Sequence, residues 1–225
     1  MIKAVFFDLD GTLIDAEKAH ERATSLAFAH FGYDYEKIRT KTPHHVSAGK
    51  RVMDNLKARK EGAGITELQL PLHKLCAVRE HIFLELAQQT GVVLPGAELV
   101  MHALRKRKLI LAIVSSGTAK YIERIMQQYH WSSLIDFVVT GDEVQVGKPS
   151  PECYLRAYQK ALQRDDTLQH EECLVFEDTE AGVTAAKAAG MKVVLVPSSN
   201  SAPPSELLPD YTYQSLTQFD PHILT

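Results

Sequence analysis

The run from Ile2 to Phe7 is apolar and β-branched apart from Lys3, and it stops abruptly at Asp8-Leu9-Asp10-Gly11. A strand with one wet face alternates polar and apolar residues, whereas a continuous apolar run must be covered on both faces. Parallel sheets sandwiched between helices provide that cover, so this segment reads as a strand buried on both faces and points toward an α/β architecture. Three later runs repeat the pattern. Leu109 to Val114 ends at Ser115-Ser116-Gly117, Cys173 to Phe176 ends at Glu177-Asp178, and Val193 to Val196 ends at Pro197. A shorter run, Phe137-Val138-Val139, ends at Thr140-Gly141-Asp142.

Helical patterns separate these runs. Leu99, Val100, Ala103 and Leu104 mark a helix over 97–107, and Tyr121, Ile122, Ile125 and Met126 form an apolar stripe after Gly117. Ser150-Pro151-Glu152 reads as an N-cap with proline at the first helical position, opening a helix to about Leu162. A further helix over 179–189 is stopped by Gly190. Strands alternating with helices imply right-handed crossovers and a doubly wound parallel sheet.

From about Asp15 to Leu94 the pattern changes to helical spacing throughout. Ala16, Ala19, Ala23, Leu26, Ala27 and Phe31 form one stripe, and Leu72, Leu75, Cys76, Ile82, Phe83, Leu86 and Ala87 another. A weaker helix is expected from Val46 to Leu56, with Gly62-Ala63-Gly64 as a loop. Residues 15–94 therefore read as an all-helical domain inserted into a core of residues 1–14 and 95–225, with hinges at Leu13 to Asp15 and Leu94-Pro95-Gly96. Pro197 to Pro204 reads as a surface loop.

At 225 residues and 45% hydrophobic content the chain can build a sizeable core. A net charge of −3, from 25 basic and 28 acidic residues, supplies no global field for nucleic acid or an anionic membrane. Cys76, Cys153 and Cys173 lack metal-type spacing, and neither a signal peptide nor a membrane span is read, so the expected location is the cytoplasm. Any anion binding must therefore be local.

In an open parallel sheet, ligands bind outside the carboxyl ends of the strands, and those ends are where the polar residues collect here. Asp8 and Asp10 lie two apart on extended backbone and can aim into one crevice, with Gly11 allowing a sharp turn. Glu177 and Asp178 bring two more carboxylates. So many like charges raise one another's pKa unless a cation intervenes, and carboxylate oxygens suit Mg2+. Lys148, Ser115 and nearby main-chain N–H groups are the candidate partners of a phosphoryl group. Taken singly, Ser115 reads as a turn residue, Lys148 as a solvated charge and Glu177-Asp178 as a helix cap. Their coincidence at strand ends favours catalysis. Gly141 to Lys148 is not a Walker loop, because five residues rather than four separate the glycines and Pro149 follows the lysine where Ser or Thr is needed.

These residues resemble the four motifs of the haloacid dehalogenase-type hydrolase superfamily: Asp8-Leu9-Asp10-Gly11-Thr12, Ser115, Lys148-Pro149 and Glu177-Asp178. The resemblance covers essentially the whole chain, and the helical insert falls where some members carry a cap between the first two motifs. Glu177 to Gly182 and Pro149 to Glu152 further resemble the branch of sugar-phosphate phosphatases, phosphoglycolate phosphatases and β-phosphoglucomutases. The resemblance implies Asp8 as nucleophile, Asp10 as general acid and base, and Ser115 and Lys148 as phosphoryl-binding groups helped by N–H groups at Leu9, Asp10 and Ser116. It implies Mg2+ held by Asp8, the main-chain carbonyl of Asp10, and Asp178, with Glu177 close by or sharing the ligation.

The implied activity is hydrolysis of a small phosphate ester, with neither nucleic acid nor membrane as partner and a monomer or weak homodimer as the expected state. Thr12 is phosphatase-like, whereas mutases of this branch usually carry an aliphatic residue there. His20 falls where those mutases carry a histidine, which keeps a phosphomutase as the alternative and makes His20 a candidate substrate residue. Lys41 joins it as a candidate, with His44, His45, Lys50 and Arg51 forming a local basic patch. A catalytically silent binding module is disfavoured by the intact carboxylate set.

Overall fold

The structure, a computed structural model, describes residues 1–41, 49–197 and 208–225. Six parallel strands form one sheet in the order β5-β4-β1-β6-β7-β8. They are β1 (Ala4–Phe7), β4 (Ile110–Val114), β5 (Phe137–Val139), β6 (Cys173–Glu177), β7 (Lys192–Leu195) and β8 (Tyr211–Thr212). The doubly wound α/β sheet expected from the apolar runs is the one observed.

The continuous apolar character of β1 has a direct cause in the two cores it serves. Val5 and Phe7 join Leu111, Ile113, Leu174 and Phe176 on one face, packed under α5 (Ala97–Lys106) and α6 (Ala119–Gln128). Ala4 and Phe6 join Ala112, Val114, Cys173 and Val175 on the other, under α7 (Glu152–Leu162) and α8 (Glu180–Ala188). Each fully buried large side chain contributes about 1.5–3 kcal/mol relative to exposure. One polar substitution within β1 would therefore damage one core or the other.

Between β1 and β4 the chain makes α1 (Glu17–His30), α2 (Tyr35–Arg39), α3 (Val52–Gly62) and α4 (Leu72–Thr90). Their far ends share a separate apolar cluster of Ala27, Phe28, Tyr35, Ile38, Leu56, Leu70 and Leu75. Their near ends, Ala16, Ala19, Ala23, Phe83, Leu84 and Ala87, belong instead to the core over one face of the sheet. The chain enters and leaves this block through β2 (Ile14–Asp15) and β3 (Val92–Val93), an antiparallel pair extended by the bond from Leu94 N–H to the Leu13 carbonyl at 2.8 Å.

The remaining differences from the sequence reading are local. Of the expected helix from Val46 to Leu56, residues 46–48 lie outside the described residues; α3 starts at Val52, after an extended Arg51 (φ −62°, ψ 146°), and runs on through Gly62, which stays helical. Gly64, at φ +73°, makes the turn after it. Helix α2 was not read, although Asp34 caps it by accepting from the N–H groups of Glu36 and Lys37. The two-residue strands β2, β3 and β8 are too short for an alternating pattern to show. His44, His45 and most of Pro197 to Pro204 lie outside the described residues.

Candidate active site

Register sets the site. Phe7 pairs with both Ile113 and Phe176, so β1, β4 and β6 end level with one another. Asp8, Ser115 and Glu177-Asp178 consequently leave the sheet at the same edge. The turn behind Asp8 requires glycine at position 11, where φ is +86° and an added Cβ would stand 2.1 Å from Asp178 Oδ2.

Asp8, Glu177 and Asp178 are all buried, and a carboxylate oxygen from each lies within 4.8 Å of the others. Lys148, 2% exposed, reaches into them: Nζ donates to Asp8 Oδ1 at 2.6 Å, to Glu177 Oε1 at 2.5 Å and to the Val114 carbonyl at 3.4 Å. Burial, with Glu177 and Asp178 adding to it, pushes the Asp8 carboxyl well above its ordinary range against the pull of Lys148. Burial also opposes the charge on Lys148, but Asp8 and Glu177 outweigh it and hold the ammonium well above its usual pKa.

Glu177 is fastened on every side. Oε1 also accepts from the Tyr154 hydroxyl, and Oε2 faces the Asp178 N–H at 3.3 Å and the Thr179 hydroxyl at 3.4 Å. The side chain lies so close over α8 that a Cβ on Gly182 would overlap its carboxylate at 1.9 Å. Thr179 opens α8 by accepting from the Gly182 N–H at 3.1 Å.

The phosphoryl-facing groups are arranged compatibly. Ser115, 3% exposed, accepts the Gly117 N–H on Oγ at 3.0 Å, which leaves its own hydroxyl proton to donate. Among the described residues, the main-chain N–H groups of Leu9, Asp10 and Ser116 have no acceptor. Leu9's side chain is fully buried, so only its backbone is available to a ligand. The Ser116 hydroxyl donates to the Gly49 carbonyl at 2.8 Å.

The Asp10 side chain is turned away from the buried cluster. Its Oδ1 accepts from the Tyr121 hydroxyl at 2.6 Å, and its Oδ2 lies 3.3 Å from His20 Nε2. The chain therefore brings His20 to the site from α1, together with Arg79 from α4, which approaches His20 Nδ1 at 2.6 Å. Burial lowers the Arg79 pKa to about 10. Lys41 is not brought in: it is exposed on the turn after α2 and makes no ion pair among the described residues. Sequence reasoning missed Tyr121, Arg79 and Tyr154 as site residues.

Three buried carboxylates face one buried ammonium, an excess of negative charge that a divalent cation would remove. The donor set is all oxygen, which is the chemistry magnesium takes. With both Glu177 oxygens engaged, Asp8 and Asp178 are the better-suited carboxylate donors.

An open parallel sheet with buried carboxylates, a buried lysine and, among the described residues, unpaired N–H groups at its carboxyl edge has the layout of a phosphoryl-transfer hydrolase. The family model of haloacid dehalogenase-like hydrolases matches residues 2–190, and the chain belongs to that family. It is 32% identical to protein CbbY of Rhodobacter capsulatus over 88% of this chain and 86% of that protein. It is 31% identical to the validoxylamine A 7'-phosphate phosphatase of Streptomyces hygroscopicus subsp. limoneus, over 90% of this chain and 89% of that one. Its fold superposes on a β-phosphoglucomutase from Clostridium difficile with a TM-score of 0.80 at 22% identity, covering 100% of this chain and 96% of the other. The protein is a hydrolase acting on phosphomonoesters. No helix among the described residues is long and apolar enough to cross a membrane.

Proposed function

We propose that the chain removes the phosphoryl group from a small phosphorylated polyol or sugar by way of an acyl phosphate formed on Asp8. The observation that carries this reading is the Asp8–Lys148 pair at the end of β1, bordered by the unpaired N–H groups of Leu9, Asp10 and Ser116. A loose phosphoryl transition state spreads negative charge over its outer oxygens, and a fixed ammonium, a serine hydroxyl and backbone donors answer that charge without reorganising.

Asp8 attacks phosphorus, and Asp10 supplies a proton to the departing ester oxygen. Asp10, now a carboxylate, takes a proton from the water that attacks the Asp8 phosphate, which returns Asp8 and releases inorganic phosphate. Lys148 and Ser115 hold the phosphoryl oxygens throughout. Glu177 and Tyr154 hold Lys148. Asp8, Asp178 and the Asp10 carbonyl would hold magnesium, which would supply the positive charge that keeps Asp8 ionised beside a phosphate dianion. Residues 15–94 act as a cap on the β2–β3 hinge, excluding bulk water and carrying His20 and Arg79 to the substrate.

The polyol or sugar class rests on the relative named for validoxylamine A 7'-phosphate and on a buried arginine, Arg79, that reaches the His20 imidazole beside Asp10. A panel of sugar and polyol phosphates, assayed for free phosphate with magnesium, tests it. Release that EDTA abolishes and excess magnesium restores is the expected outcome, with magnesium also raising the thermal midpoint in the absence of substrate. Isomerised sugar phosphate with little free phosphate would assign a mutase instead, and full activity in chelator would remove the metal.

A further inference from the structure

Asp10 belongs to a closed ring of side chains. The Tyr121 hydroxyl donates to Asp10 Oδ1 at 2.6 Å, and Asp10 Oδ2 faces His20 Nε2 at 3.3 Å. His20 Nδ1 meets the Arg79 guanidinium at 2.6 Å. That guanidinium lies over the Phe83 ring, 4.3 Å from its centroid, and Phe83 meets the Tyr121 ring nearly edge-on at 4.7 Å. Tyr121 comes from α6 beside the sheet, whereas His20, Arg79 and Phe83 come from α1 and α4.

The ring fixes which atoms can do what. A guanidinium only donates, so His20 Nδ1 accepts and the imidazole proton sits on Nε2, facing Asp10. Among the described residues Nε2 is nevertheless buried without an aligned acceptor, so His20 guides Oδ2 without saturating it. Oδ1 differs, being taken by a phenol whose ring is 1% exposed and cannot swing away. The two oxygens of Asp10 are thereby made unequal.

We propose that Tyr121 is a positioning residue that fixes the plane of the Asp10 carboxyl, keeping Oδ1 as an acceptor and presenting Oδ2 to the substrate. The inference rests on the phosphatase reading above and adds a specificity to it. In the first step the Asp8 oxygen bonds to phosphorus, the ester P–O bond breaks with its electron pair leaving on oxygen, and that oxygen takes the proton from Asp10 Oδ2. An alkoxide needs that proton to depart, whereas a nitrophenolate leaves without it. The dependence on Tyr121 must therefore follow the basicity of the leaving group.

Tyr121→Phe removes one hydroxyl and keeps the ring packed on Phe83. The measurement is kcat/KM, which reports the steps through loss of the leaving group, on an alkyl ester such as glycerol phosphate and on p-nitrophenyl phosphate. The alkyl ester is expected to lose about 10- to 100-fold in the variant, a part of what a general acid contributes, while the aryl ester changes by about threefold or less. The thermal midpoint reports whether the variant is folded. A folded variant that loses equally on both esters, or on neither, overturns the positioning role and leaves the phosphatase reading standing. A wild-type chain that releases phosphate from neither ester defeats both.

Discussion

Asp8→Asn is expected to abolish phosphate release, by about 10⁴-fold or more, while leaving a folded protein. The amide has nearly the shape of the carboxylate but no charge with which to attack phosphorus. Its effect on stability should be small for a reason specific to this site. Burial and the neighbours Glu177 and Asp178 disfavour the Asp8 charge, so neutralising position 8 relieves repulsion even as it weakens the contact with Lys148. Lys148 keeps Glu177 as its partner. Parallel measurements of turnover and thermal midpoint check both halves. Turnover by a folded Asp8→Asn protein within tenfold of the wild type would remove Asp8 as nucleophile.

Lys148→Met should do the opposite to stability. Methionine matches the length of lysine and leaves Asp8, Glu177 and Asp178 buried together with no ammonium among them. Removing one partner from a buried charge cluster costs about 3–5 kcal/mol, and the variant should unfold at correspondingly lower denaturant. Activity should be lost with it, since no other cation among the described residues pairs with Asp8. Magnesium should recover more stability in this variant than in the wild type, because it would then be the sole compensating charge. An unchanged denaturant midpoint would show that the carboxylates do not need Lys148.

Much of this site was legible because strand ends are visible in a sequence. The apolar runs of β1, β4 and β6 serve two cores at once and stop where the chain leaves the sheet, so Asp8, Ser115 and Glu177 could be placed on one edge before any distance was known. What was not legible depends on how helices meet. Tyr121 lies on the apolar stripe of α6 and reads as core, which its ring is; only the packing of α4 against α6 directs its hydroxyl to Asp10. Arg79 lies among Leu75, Ile82 and Phe83 on α4, and nothing in that spacing tells a site arginine from one that reaches solvent. Tyr154 was hidden in the same way on α7. The start of α3 at Val52 follows from the extended backbone at Arg51, whose side chain bonds Asp54 and the Val144 carbonyl at 2.9 Å, a contact across the fold that local propensity does not contain.

The central claim is that the phosphoryl group passes through Asp8, and chemical trapping tests it most directly. The enzyme would be quenched in acid during turnover of its best phosphate ester, reduced with borohydride, digested, and read by peptide mass. An acyl phosphate is reduced at its carbonyl carbon, so position 8 should appear as homoserine in the peptide that contains Leu9 and Asp10, and in no other peptide. Recovery of unmodified Asp8 throughout, from a sample quenched while phosphate is being released at a steady rate and the ester is in excess, or homoserine at position 10 or 178 instead, would contradict the account.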